Sequence, residues 1–270
     1  MRADRKQDRM AAIFVVAVIA VVVGTAVHRW STSDAVRDQR LHDELSALPG
    51  VAEVTVGPLE QEIRLAEGVT VEQARAASSA VGEGRWKLVL DPAETTVYGE
   101  DDKTDTRAVD VLVLAGSAGL VDEYPGDRTT PAVWVQWDPR AHGVTVYLTH
   151  PYTDLLGWTT TLVETFAEHR GLVPAGITIT GGSMGPLASA ETLSDLDVAR
   201  EELAAVSELA DLDPRFSLDG ARRRVVVEVP SRDELDATWK RVRTARSHAP
   251  DGLDVVVLLD GRRVDDPRSV

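Results

Sequence analysis

Apolar positions spaced three and four residues apart, then alternating apolar and polar positions, follow one another along residues 34–93. Leu41, Leu45 and Leu48 fall on one helical face, which predicts a first helix. A Thr-Val-Glu-Gln phrase at 70–73 fits a capping box, which predicts that a second helix begins there. The order is therefore helix, strand, strand, helix, strand (αββαβ). Its strands are predicted at residues 52–56, 62–65 and 86–90.

The same order recurs in residues 194–264, and a middle unit is predicted over residues 108–182. Only the first helix of the middle unit is ambiguous. Residues 108–121 are largely apolar, and their valines favour a strand, whereas the repeat requires a helix. We predict the helix, with the strand as the alternative. The predicted fold class is α+β, with one N-terminal transmembrane helix followed by about three ferredoxin-like αββαβ units.

An unbroken uncharged run covers residues 10–27. As a helix it would reach about 27 Å, close to the thickness of the hydrocarbon core of a bilayer. Residues 1–9 hold four basic and two acidic side chains, which predicts a cytoplasmic N-terminus. We therefore predict a cytoplasmic stub at 1–9, a transmembrane helix at 10–29 and an extracytoplasmic remainder in a single-pass protein of the cell membrane. Small residues at 24–26 leave a cleaved signal peptide as the alternative.

Charge and composition restrict the classes of partner and site. The formal net charge of −15 repels nucleic acid, so no nucleic-acid partner is predicted. The chain has no cysteine, which excludes disulfides, thiolate metal sites and cysteine nucleophiles. Arginine outnumbers lysine and asparagine is absent, a composition that resembles proteins of high-GC bacteria such as actinomycetes.

The phrase Leu-Ser-Ala-Leu-Pro-Gly-Val-Ala-Glu-Val-Thr-Val at 45–56 lets a helix end at Pro-Gly and continue as an alternating strand. It resembles the opening of BON domains and heavy-metal-associated domains. The αββαβ order also resembles the ring-building motifs of bacterial envelope machines. The resemblance implies a ferredoxin-like sandwich and a role in envelope attachment or protein assembly. It does not imply metal carriage, since the C-x-x-C loop is missing, and residues 62–67 lack the glycine-centred phrase of BON domains.

The aromatic residues are concentrated in the middle unit. By alternation Trp134 and Gln136 share one strand face, and Trp137 lies on the other. Exposed aromatics of this kind form hot spots for protein partners, whereas buried ones fill the core. The candidate partner surface consists of Trp134, Trp137, Tyr147 and Tyr152.

Motifs for chemistry are weak, and we predict no catalytic residue, no metal site and no cofactor. The predicted function is a membrane-anchored, extracytoplasmic interaction or scaffold protein that binds an envelope protein or another copy of itself. The alternative is an envelope-associated hydrolase beside the middle unit. Its site would use Asp138, His142 and His150, or Ser183 in the Gly-x-Ser-x-Gly phrase at 181–185.

Overall fold

The computed structural model describes residues 35–57, 60–81, 84–90, 95–100, 106–118, 133–138, 143–148, 155–174, 176–181, 186–190, 195–219, 222–250 and 253–266. Within them, twelve strands form one mixed sheet whose order follows the chain. The strands are β1 (Val51–Val56), β2 (Glu60–Leu65), β3 (Arg85–Leu90), β4 (Thr95–Glu100), β5 (Val133–Asp138), β6 (Gly143–Leu148), β7 (Gly176–Thr180), β8 (Pro186–Ala190), β9 (Arg215–Asp219), β10 (Arg222–Val229), β11 (Asp254–Leu259) and β12 (Arg262–Val264). The helices are α1 (35–46), α2 (Val71–Ala80), α3 (Thr106–Ser117), α4 (Leu155–Glu168), α5 (Asp195–Ser207) and α6 (Leu235–His248).

Antiparallel hairpins and parallel crossovers alternate along the sheet. Each hairpin joins an odd-numbered strand to the next even-numbered one, and each helix from α2 to α6 links two neighbouring parallel strands. Such crossovers are right-handed, and the strand order never reverses, so every connecting helix is placed on the same face. We call the opposite face the open face, because none of the described helices covers it.

The predicted fold class is wrong in its topology. In a ferredoxin-like split βαβ motif another strand separates the two parallel strands, but here the parallel strands are direct neighbours. Each predicted αββαβ unit also has a further strand, namely β4, β8 or β12. The repeating element is therefore αββ, which occurs six times in the described residues. We use the term unit for each successive pair of αββ elements. Each unit contributes four strands to the common sheet.

Of these three further strands, which the sequence analysis missed, β4 and β8 join the units to one another. Pro186–Ala190 has the sequence PLASA, which reads as a linker because it lacks regular apolar alternation. A proline is tolerated in a sheet at the first position of a strand, which is where Pro186 lies. Without these strands the units are predicted to be separate domains. With them, the units share one sheet.

The predicted single-pass membrane topology is contradicted as well. No helix in the part of the chain that the structure describes is long and apolar enough to cross a bilayer. The predicted transmembrane helix at 10–29 and the stub at 1–9 lie outside the described residues. The predicted location of the remainder of the chain outside the cytoplasm stays a prediction.

A continuous row of side chains runs across ten strands on the helix-covered face. Each member is in register with the next, and all the apolar members are buried. Burial of such a row is the main favourable term in the stability of a two-layer fold. The row consists of Val54, Ile63, Leu88, Val97, Val135, Val146, Ile179, Ala188, Leu218 and Arg223.

Arg223 is the one charged member of this row. It lies beneath α5, where it contacts the buried carboxylate of Glu202. Glu202 of α5 is 1% exposed, and its Oε1 lies 2.6 Å from Nε of Arg223. A guanidinium placed among core residues needs a partner of opposite charge, since an unpaired buried charge is strongly destabilising. Burial raises the pKa of the Glu202 carboxyl above its usual value, and the charge of Arg223 opposes that rise.

This raised pKa predicts a pH dependence of stability. The folded protein binds a proton at Glu202 more tightly than the unfolded chain does. The carboxyl therefore contributes stability below its usual pKa of 4.5, and this contribution is lost as the pH rises through the raised pKa. We expect the free energy of unfolding of the wild type, minus that of Glu202→Gln, to decrease above about pH 4.5. Urea unfolding across this range measures it, with the exposed Glu201→Gln as the matched control; a difference independent of pH would contradict it.

The ambiguous segment of the middle unit is helical, as α3. All residues from Ala108 to Ala115 are buried, because α3 lies on the sheet between its neighbours α2 and α4. Burial on nearly every side explains why the sequence shows a continuous apolar run instead of a stripe. Near its end, Gly116 lets α3 approach β3 closely. A Cβ at this position would lie 2.1 Å from Cδ2 of the buried Leu90.

Gly116→Ala should therefore destabilise the protein, against the usual preference of helices for alanine. Overpacking against Leu90 costs about 1–3 kcal/mol, whereas helix propensity returns about 1 kcal/mol. We expect a net loss of up to about 2 kcal/mol in the free energy of urea unfolding. Gly171→Ala is the control, because nothing lies within 4 Å of a Cβ there. A gain in stability from Gly116→Ala would contradict the close approach.

Both ends of the sheet have features that discourage further strand pairing. Strand β1 has a bulge between Val51 and Glu53, and Glu53 is exposed. Strand β12 is only three residues long and contains Arg262 and Arg263. Bulges, short length and charge are the usual protections of edge strands. Among the described residues, β1 pairs only with β2, and β12 only with β11.

Candidate functional site

The units meet along two narrow lines of strand pairing, which we call seams. At the first seam β4 and β5 are parallel and pair through Thr96 with Trp134 and Val97 with Val135. At the second seam β8 and β9 pair through Ala188 with Leu218. Both pairings are shorter than the parallel pairings inside the units, so more of the cohesion at a seam must come from side chains.

On the open face, the first seam carries a cluster of three aromatic rings, which we call the aromatic trio. Trp134 lies between Tyr98 of β4 and Tyr147 of β6. Its ring centroid is 6.1 Å from that of Tyr98 and 4.6 Å from that of Tyr147, with interplanar angles of 79° and 71°. These edge-to-face contacts stabilise the cluster beyond its buried area. Tyr98 is 42% exposed, so the trio presents an aromatic surface to solvent.

The register of the strands explains why these rings meet. Thr96, Trp134 and Tyr147 are successive partners across β4, β5 and β6, and Tyr98 lies diagonally from Trp134. Thr96 is 1% exposed beneath them. The trio thus joins a residue of the first unit to two residues of the second, across the seam.

Two of the four residues predicted as a partner surface are brought together. Trp134 and Tyr147 lie side by side on the open face, whereas Trp137 packs against the core on the other face. Cζ of Arg107 lies 6.0 Å from the centroid of the Trp137 ring. Tyr152 lies outside the described residues. Tyr98 was missed, although the alternation in Thr-Thr-Val-Tyr could have identified β4.

The indole nitrogen of Trp134 has an unusual environment. Its Nε1 is buried, and among the described residues it finds no hydrogen-bond acceptor. An unpaired buried donor costs about 1–3 kcal/mol. The folded protein therefore carries the cost of one unpaired donor at the first seam.

On the helix-covered face, α3 lies over the same seam and contacts both β4 and β5. Its Asp110 is fully buried and accepts two hydrogen bonds from Arg75 of α2, one from Nε at 2.6 Å and one from the terminal nitrogen Nη2 at 2.5 Å. This contact raises the pKa of the Arg75 guanidinium. The bidentate pair links the helices of the first and second units. At the second seam Arg170 binds Asp197 of α5, which lowers the pKa of that carboxyl.

On the side of the first unit, charged groups next to the trio contact one another. On the open face of the first unit, Glu62 accepts contacts from Lys87 at 3.2 Å and from Arg64 at 2.9 Å. No group of three or more His, Asp and Glu side chains that could hold a metal ion occurs among the described residues. The trio is an aromatic surface with charged groups beside it, and an apolar centre with a polar rim is typical of protein-binding surfaces.

The side chains of the predicted hydrolase site are not among those that the structure describes. His142, His150, Ser183 and the side chain of Asp138 lie outside the described residues. A nucleophile elbow requires a helix directly after the serine turn. The element that begins at Pro186 is the strand β8, so the Gly-x-Ser-x-Gly phrase is not followed by the helix of an elbow.

Comparison of the chain with models of protein families, with curated proteins and with solved structures finds no match. The resemblance to BON-like and ring-building modules stays a prediction.

The ion pair at the first seam predicts an asymmetric mutational effect. Arg75→Ala leaves the carboxylate of Asp110 buried without its cation, and we expect a loss of about 3 kcal/mol in the free energy of unfolding. Asp110→Ala leaves Arg75, whose side chain is 40% exposed and can be hydrated, so we expect a loss of about 1–2 kcal/mol. Urea unfolding of both variants measures the difference. Equal losses would contradict the assignment of Asp110 as the buried charge.

Proposed function

We propose that the protein is a non-enzymatic interaction or scaffold protein that binds a protein partner through the aromatic trio. The observation that carries the proposal is the exposed ring of Tyr98 next to Trp134 and Tyr147, on a face that no described helix covers. Tyrosine and tryptophan dominate the energetics of protein interfaces because they bury a large area at little entropic cost.

The rest of the fold supports this choice of surface. Among the described residues, α2 to α6 occupy the helix-covered face, and both sheet edges have features that discourage strand addition. The trio lies near the middle of the sheet, so further strands extend on both sides of it. A chain with a net charge of −15 favours a partner whose contact surface has a basic margin.

A photo-crosslinking residue in place of Tyr98 tests the proposal in cells. The same residue in place of Arg224 is the matched control, because Arg224 lies on β10, is exposed and is distant from the trio. We expect one defined adduct from position 98 and none from position 224. The adduct is identified as a second copy or as another protein.

Binding is then measured with the identified partner in purified form. Tyr98→Ala should weaken it by at least about 2 kcal/mol, which is roughly 30-fold in Kd. Arg224→Ala should leave the Kd unchanged, since its exposed pair with Asp254 contributes little. Equal crosslinking at both positions, or a Kd that Tyr98→Ala does not change, would refute the proposed surface.

A further inference from the structure

We infer that the partner of the aromatic trio is a second copy of this chain, and that the two copies pack the open faces of their middle units together around a two-fold axis. The inference names the partner of the proposed surface and so rests on the proposed function. Two features of the open face favour a second copy as that partner, namely the distribution of its charges and the size of its uncharged part.

The open face of the middle unit has no charged group among its described side chains. Gln136 of β5 is the register partner of Thr145 of β6, and Thr145 is the partner of Thr178 of β7. Thr180 lies beside Tyr147 in the same way. Gln136 is exposed, and Thr145 and Thr178 are half-buried, so a partner can reach them. We call Gln136, these three threonines and the aromatic trio the neutral patch.

Charged side chains lie on both sides of the neutral patch along the sheet. On the third unit they form exposed ion pairs, Arg215 with Glu228 at 3.3 Å and Arg224 with Asp254 at 3.1 Å. On the first unit, basic and acidic side chains are equal in number among the described residues of the open face. These are Arg64, Arg85 and Lys87 with Glu53, Glu60 and Glu62. The described part of the open face therefore carries little of the net charge of −15.

Two-fold symmetry favours an uncharged contact surface. Near the axis each side chain lies opposite its own copy, so a charged group there would meet a group of the same charge. Threonine hydroxyls and the Gln136 amide can each donate and accept hydrogen bonds, so identical side chains can pair with one another. Elsewhere two copies repel, because each has a net charge of −15. The neutral patch, with Lys87 as a basic group at its margin, is a surface on which two copies can approach with little repulsion.

The dimensions of the neutral patch determine how strong such a dimer can be. The patch spans β4 to β7, and four strands that lie about 4.8 Å apart and are about 20 Å long cover a footprint of about 400 Å². This is below the roughly 800 Å² per partner of a stable complex, so we expect a weak dimer with a micromolar Kd. Neighbouring strands are rotated by about 20°, which turns β10 by roughly 120° from β4 and takes Arg224 away from a copy on the patch.

Sedimentation equilibrium of the purified full chain, at concentrations up to about 500 μM, measures the dimer directly. We expect monomer and dimer in exchange, with a micromolar Kd. Gln136→Glu keeps the size of the side chain and places a carboxylate in each half of the interface, so the Kd should rise at least about tenfold. Gln39→Glu is the matched control, because it makes the same change at an exposed position of α1 outside the neutral patch, and it should leave the Kd unchanged.

Mixing of variants and a change of salt give two further readouts. Gln136→Lys should also weaken its own dimer. An equal mixture of Gln136→Glu and Gln136→Lys should associate at least about tenfold more tightly than either variant alone, because opposite charges then face each other. Raising the ionic strength from about 0.05 M to about 0.5 M should tighten the wild-type dimer, because salt screens the repulsion between two acidic chains.

Four results would overturn the inference: a chain that stays monomeric to about 500 μM, a dimer that Gln136→Glu leaves unchanged, a mixture that shows no gain, or a dimer that salt weakens. The proposed function fails separately. A monomer whose position 98 crosslinks to a different protein refutes the second copy and keeps the proposed surface. A monomer with no adduct at position 98 refutes both.

Discussion

The handedness of the crossovers is the constraint on which the rest of the structure depends. Each helix from α2 to α6 carries the chain from one strand to the parallel strand beside it, always in the same direction. When every crossover is right-handed and the chain always advances in the same direction along the sheet, all connecting helices lie on the same face. One face is therefore covered and the other open. The in-register apolar row, the buried helix α3 and the exposed Tyr98 all follow from this single asymmetry.

Cohesion in this sheet is unevenly distributed. The apolar row continues across both seams, whereas the long parallel pairings are found within the units. Between units the strands barely pair, and side chains take over: Arg75 with Asp110 at one seam, Arg170 with Asp197 at the other. Regions with few backbone bonds open most readily in native proteins, and binding surfaces are commonly found there. The aromatic trio lies at such a place.

Most helices and strands could be predicted from the sequence, whereas the predicted topology was wrong, and the failures have physical causes. The capping box at Thr70 forms as predicted, with Gln73 as its reciprocal partner. Alternation located most strands, and it placed Trp134 and Trp137 on opposite faces. Strands β4 and β8 were missed because a strand at a unit boundary is defined by its neighbours more than by its own alternation. Because β4 was missed, Tyr98 was not recognised as a member of the aromatic trio. The pairing of β4 with β5, and with it the single shared sheet, was missed for the same reason.

Because the strand order follows the chain in one direction, the sheet can also be lengthened by adding further units. A further pair of αββ elements placed at a seam would meet the same parallel neighbour on each side that the existing units meet. No existing contact within a unit would have to be rebuilt, so gene duplication would lengthen the sheet as it lengthens a solenoid. What stops this growth from continuing between molecules is local to the two ends, in the bulge at Glu53 and the arginines of β12. The fold can therefore expand internally, while a few edge residues disfavour strand pairing between molecules.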